Sequence, residues 1–138
     1  MSSTRITSLI IASMLLTACA APDEKEERRE ETAIADFIEV NELASVKFIR
    51  TMNPLSSSVV SDLYVIVSTR REAFLLEYFS RCERRFDGGV EPDVRQDPRA
   101  LYAKLDTFRG CRIKAIYALQ PAQADEIKVL GRTVGGER

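Results

Sequence analysis

Hydrophobic and polar positions follow several distinct patterns along this chain, and each pattern predicts its own kind of element. Between Ile6 and Leu16 the apolar residues Ile6, Leu9, Ile10, Ile11, Met14, Leu15 and Leu16 are separated only by small or hydroxyl side chains. That run of about 13 residues falls short of the ~20 that cross a bilayer as a helix. From Asp23 to Glu31 the pattern inverts and every residue is charged. Such a block buries nothing, so it predicts a solvated tether, extended by self-repulsion. A helical form stays open, since Glu24 and Arg28 stand i, i+4, but that pair adds only ~0.3 kcal/mol.

From Ala33 onward the apolar residues are regular enough to fold. Ile34, Phe37 and Ile38 suit a helical face, whereas Ile38 and Val40 around Glu39 suit a strand; a strand across Phe37 to Val40 is the expectation. Ser45 to Thr51 alternates and reads as another strand, Asn53-Pro54 breaks it, and Ser56-Ser57-Ser58 reads as a loop. Leu63 to Val67 and Phe74 to Phe79 are apolar runs around the polar connector Arg70-Arg71-Glu72. They predict an antiparallel hairpin in a central position, because both faces are apolar; a helix from Glu72 to Arg81 is its competitor. Arg81 to Arg99 mixes charges with Gly88-Gly89, Pro92 and Pro98 and predicts a long loop. Leu101 to Leu105 and Cys111 to Leu119 alternate as strands, with Cys111, Ile113 and Ala115 opposite Arg112 and Lys114. Pro121 opens a helix to Leu130 with the apolar stripe Ala124, Ile127 and Leu130, with Asp125 and Glu126 toward its positive end and Gly131 as terminator. The sum is an α+β fold, mainly an antiparallel β-sheet or small barrel with a C-terminal helix.

Composition narrows the function more than it defines it. The 138 residues are 45% hydrophobic and 30% charged, an ordinary globular balance with room for one domain. There is no histidine, which removes the commonest general base near neutral pH and the commonest zinc ligand. Absence of tryptophan weakens a carbohydrate-stacking role. The formal net charge of −1 argues against nucleic acid as a partner. No phosphate loop, nucleophile elbow or metal-ligand spacing occurs, so the expectation is a protein without cofactor, metal or enzymatic activity.

The apolar run ends in Leu16-Thr17-Ala18-Cys19, with Arg5 ahead of it. This resembles the lipobox of bacterial lipoproteins, at which the cysteine is lipidated and the chain cut before it. The resemblance implies a signal peptide over 1–18 and a lipidated Cys19 that begins a charged tether over 19–32; the apolar pattern then places one globular domain over 33–132 and a disordered tail over 133–138. Several acyl chains on Cys19 make a stable anchor where one would be marginal. Alanine at position 20, where aspartate retains known lipoproteins in the inner membrane, implies the outer membrane of the envelope, facing the periplasm.

With Cys19 so used, Cys82 and Cys111 remain as a pair. In an oxidising compartment the expectation is a disulfide. A reactive thiol is the rival reading, since Arg81, Arg109 and Arg112 near the pair would lower a thiol pKa. Arg84, Arg85, Arg95, Arg109 and Arg112 are candidates for binding anions, because guanidinium forks suit phosphate and carboxylate groups. Asp93 with Asp97 or Asp106 could act as paired carboxylates in glycoside hydrolysis, against the plainer reading of a satisfied surface network.

Asp36-Phe37-Ile38, Tyr64-Val65-Ile66-Val67, Asp93-Val94-Arg95, Asp106-Thr107-Phe108-Arg109-Gly110-Cys111-Arg112-Ile113 and Ile116-Tyr117-Ala118-Leu119 together resemble a family of small exported Gram-negative proteins without an assigned activity. That resemblance implies export, a cysteine pair and one small domain. The expected function is a non-enzymatic binding or structural module, anchored in the membrane and directed at an envelope protein or polymer. The alternatives are an anion-binding module for envelope glycans or lipid headgroups through 81–114, and a small carboxylate-dependent hydrolase.

Overall fold

The computed structural model describes residues 24–51, 55–82 and 94–133. The apolar leader, Cys19, Asn53-Pro54, Arg84, Arg85, Asp93 and the tail from 134 lie outside the described residues. In chain order the elements are α1 (Glu24–Val40), β1 (Ser45–Val46), β2 (Phe48–Arg50), β3 (Ser56–Val59), β4 (Tyr64–Ser68), β5 (Ala73–Tyr78), β6 (Ala100–Tyr102), β7 (Thr107–Phe108), β8 (Cys111–Leu119) and α2 (Pro121–Thr133).

The charged block and the apolar triplet after it form one helix, α1. An extended tether from Glu24 and a strand over Phe37 to Val40 are both corrected by this. Glutamate, arginine, lysine and alanine are good helix formers, and Ile34 and Phe37, with Ile38, dock that helix on the sheet. Val40 is 81% exposed, whereas a strand would have placed it on the buried side with Ile38. The helix stops where Glu42 takes a left-handed φ of 47°. Leu43 N–H then donates to the Ile38 carbonyl and Glu42 N–H to that of Glu39, a Schellman closure with Leu43 packed under it.

The expected hairpin is present: β4 and β5 pair antiparallel from Tyr64↔Glu77 to Ser68↔Ala73. They sit inside an antiparallel sheet ordered β1-β8-β5-β4-β3, with β7 also paired to β8. The path ends at β1 and β3, so the sheet is open and does not close into a barrel. The three serines expected to form a loop instead make edge strand β3, registered from Ser56↔Ser68 to Val59↔Val65. Their side chains carry no period because three of the four residues of that strand are exposed, and backbone pairing alone defines it.

Both faces of the sheet are covered. One carries Tyr64, Ile66, Leu75 and Leu119 under α1 and α2. The other carries Val65, Val67, Phe74, Leu76 and Tyr78, against which a second small sheet, β2 with β6, packs Ile49 and Leu101. The strand expected over Ser45 to Thr51 is therefore split at Lys47 between two sheets, and the one over Leu101 to Leu105 ends early, with Lys104 turning at φ 68°.

β8 breaks strict alternation. Glu77 pairs with Ala115 but Tyr78 with Ile113, so Lys114 is the extra residue of a bulge. Ile113 and Ile116, three apart, consequently pack into the same cluster, and Ala115 leaves the face it was expected to share with Ile113. In α2, Pro121 occupies the first turn as expected, and the Gln123 side chain caps the Gln120 N–H at 2.9 Å. Asp125 lies past the first turn and pairs with Lys128 at 3.1 Å. Gly131 does not terminate the helix, which continues through Thr133.

Candidate functional site

The densest gathering of polar chemistry lies where β5 leaves the sheet and β8 enters it. Cys82, just after β5, is bonded to Cys111, the first residue of β8, with Cα atoms 5.8 Å apart. The bond fastens the segment after Cys82 at its base, and Cys82 N–H is held in addition by the Asp62 carbonyl at 2.8 Å. One residue earlier, Arg81 donates to Glu31 Oε2 of α1 at 3.2 Å, closing the helix onto this end. The other Glu31 oxygen, Oε1, is buried without a hydrogen-bond partner among the described residues.

Beside this contact, Glu77 is a buried carboxylate on the helix-covered face. Lys114 donates to its Oε1, and the Tyr117 hydroxyl donates to its Oε2 at 3.0 Å. Burial, then the Glu77 charge and the hydrogen bond to it, push the Tyr117 phenol up to about 12. Tyr64, directly across from Glu77 in the register, is raised further, first by burial and then by the charges of Glu77, Tyr117 and Glu31. Both phenols are therefore neutral at physiological pH. As a neutral phenol Tyr117 donates its hydrogen bond to Glu77.

A second carboxylate organises the loop on the far side. Asp106 is fully buried, its Oδ1 accepting from Gln96 N–H at 2.8 Å and its Oδ2 from Tyr102 N–H at 2.7 Å. Val94 N–H donates to Thr107 Oγ1 at 2.7 Å, and Thr107 N–H returns a bond to the Val94 carbonyl. Asp97 accepts from Arg99 N–H within its own turn. Asp106 and Asp97 thus both hold backbone.

The expected disulfide between Cys82 and Cys111 is present. Of the expected anion-binding residues, Arg109 and Arg112 come together around one hairpin. Arg109 and Gly110 form the two-residue turn from β7 to β8, both with positive φ, 56° and 78°. That is the backbone of a primed turn, and it thrusts an arginine to the tip. Arg112 is exposed, donates to the Lys104 carbonyl at 3.1 Å, and holds its guanidinium 5.6 Å over the ring of Phe79. Arg95 sits apart, on the segment clasped to β7.

Glu77, Lys114, Tyr117, Tyr64 and the Glu31–Arg81 pair were not singled out from the sequence. One signal was available: Glu77 is the lone charge inside the apolar run Phe74 to Phe79, and a buried lone charge requires a partner. Among the described residues no group of three or more His, Cys, Asp or Glu is placed to hold a metal ion. A small cavity of about 40 Å³ between β3 and α2, lined by Ser58, Val59, Val60, Lys128 and Gly131, has room for a water or two.

The model of a family described as a family of unknown function (DUF6491) matches residues 2–133. Neither a curated protein nor a solved structure matches the chain.

Proposed function

From the premise that this chain belongs to the DUF6491 family of unknown function, we propose that it is a lipoprotein of the bacterial cell envelope, a non-enzymatic module that binds a protein or polymer partner there. The observation that carries this reading is the pairing of Cys82 with Cys111 in a chain whose remaining cysteine, Cys19, ends an export-type apolar run. A disulfide of this kind belongs to oxidising compartments. The lipobox-like Leu16-Thr17-Ala18-Cys19 supplies the route there and the acyl anchor. Alanine at position 20 favours the outer membrane, with the domain facing the periplasm.

The binding role is supported by what the acidic groups do. Asp106 and Glu77 spend both carboxylate oxygens on backbone or on neighbouring side chains, and Asp97 spends Oδ1 on the Arg99 N–H. The test has two readouts in intact cells. Labelled fatty acid should enter the wild-type protein and not the Cys19→Ala variant, and crosslinking should recover one specific envelope component. Label entering the variant overturns the anchor; recovery of nothing above background overturns the binding role.

A further inference from the structure

Resting on the lipid-anchor reading, we propose that the Cys82–Cys111 end of the domain faces the bilayer and docks on anionic headgroups through Phe79, Arg109 and Arg112. The first support is the length of chain. Five peptide units separate Cys19 from Glu24, which opens α1, and they span at most ~18 Å. Along α1, Glu24 lies only ~10 Å ahead of Glu31 at 1.5 Å per residue. Glu31 is bonded to Arg81, next to the disulfide. The acyl attachment is therefore within ~28 Å of this end, while Val40, at the other end of α1, is ~14 Å farther along the helix.

The second support is charge. Lys104, Arg109 and Arg112 are exposed here, whereas among the described residues Glu31 is occupied by Arg81, Glu77 by Lys114 and Tyr117, and Asp106 by two backbone donors. Asp62 remains, half-buried. In sequence the stretch from Asp23 to Glu31 carries six acids and three bases, and of these acids Glu31 is paired with Arg81, so the attraction to an anionic surface has to come from the hairpin arginines. The third support is Phe79, 54% exposed on a domain end and covered by a guanidinium. An exposed aromatic ring beside cations is the combination that settles at the headgroup level of anionic bilayers.

The chain contains no tryptophan, so a single indole reports without background. Full-length Phe79→Trp and, as control, Val40→Trp would be expressed in a bacterial host, purified with their native amino termini and reconstituted into vesicles of phosphatidylethanolamine and phosphatidylglycerol. Flotation and amino-terminal mass would be recorded together with quenching by lipids brominated near the headgroup. The expected result is flotation of both variants, with quenching at position 79 several-fold stronger than at position 40. Arg109→Glu with Arg112→Glu should remove most of that difference. Floating, acylated protein with equal quenching at both positions overturns the docking face alone and leaves these arginines to a polymer or protein. Protein that carries no acyl mass and does not float overturns the anchor, and the docking face with it.

Discussion

Lys114 reaches the Glu77 carboxylate because it is the surplus residue of the bulge in β8. In an unbroken register position 114 would oppose Tyr78 and face the other core. The bulge instead turns the cation toward a carboxylate that the sheet has already buried. Lys114→Met should therefore destabilise the domain through Glu77, by about 1–2 kcal/mol, at the low end for a buried charge since Lys114 is half exposed. Urea unfolding measures it, and adding Glu77→Gln should recover part of the loss, because removing both charges also removes the unpaired one. Strictly additive losses would rule out the coupling.

The same cluster makes stability sensitive to alkali. Tyr117 is raised in the folded state to about 12 from an ordinary 10.0, and Tyr64 is raised in the same direction. For an acid whose folded pKa lies above its unfolded one, the folded state binds more protons between the two values. The contribution is whole below pH 10 and is lost as pH rises toward 12. Unfolding free energies should fall with pH across that window, with a shallower slope in Tyr117→Phe. Equal slopes in both proteins would count against the assignment.

Asp106 holds two backbone amides that are ten and four residues away. Asp106→Asn keeps one acceptor and turns an amide donor toward a second donor, so it should lose about 1.5–3 kcal/mol, the range for hydrogen bonds to charged groups. The local signature is faster hydrogen exchange at the Gln96 and Tyr102 amides. Unchanged protection there, with stability intact, would remove Asp106 as the organiser of this loop.

What could be read from the chain follows from where burial leaves a period. The hairpin from Tyr64 to Tyr78 and strand β8 were legible because apolar, β-branched residues crowd into short runs between polar turns. Helix α2 was legible from Pro121 and the spacing of Ala124, Ile127 and Leu130. α1 was misread because half of it carries no apolar residue, and its docking face consists of little more than Ile34, Phe37 and Ile38. β3 was missed because an edge strand of serines is held by backbone pairing with β4. The disulfide was foreseen by cysteine count, but the polar cluster around Glu77 depends on a bulge, and a one-residue shift of register leaves no mark in the pattern of residues.

The disulfide closes a separation of 29 residues, worth about 3.5 kcal/mol in the chain-entropy account. Against a total of about 5–15 kcal/mol for a domain of this size, that is a large share. Cys82→Ser should lower the urea midpoint strongly and steepen the slope, because the unfolded chain without the bond exposes more surface. The reduced wild type should follow it closely, since both lose the same constraint. Two free thiols titrating in the unreduced native protein would contradict the bond.

Gly131 sits inside α2, where alanine would ordinarily gain about 1 kcal/mol in helix propensity. Here a Cβ would lie 2.5 Å from Val60 Cγ1 and 2.8 Å from the Val60 carbonyl oxygen. Glycine is required because the helix passes directly over the backbone just beyond β3, and that close approach is why it does not end the helix as its residue type suggested. Overpacking of this kind costs about 1–3 kcal/mol, so Gly131→Ala should be net destabilising despite the propensity. Val60→Ala in the same chain clears the methyl but not the carbonyl, and should restore only part of the loss. Full restoration would assign the constraint to the Val60 side chain, and a stabilised Gly131→Ala would mean that α2 does not pack this closely.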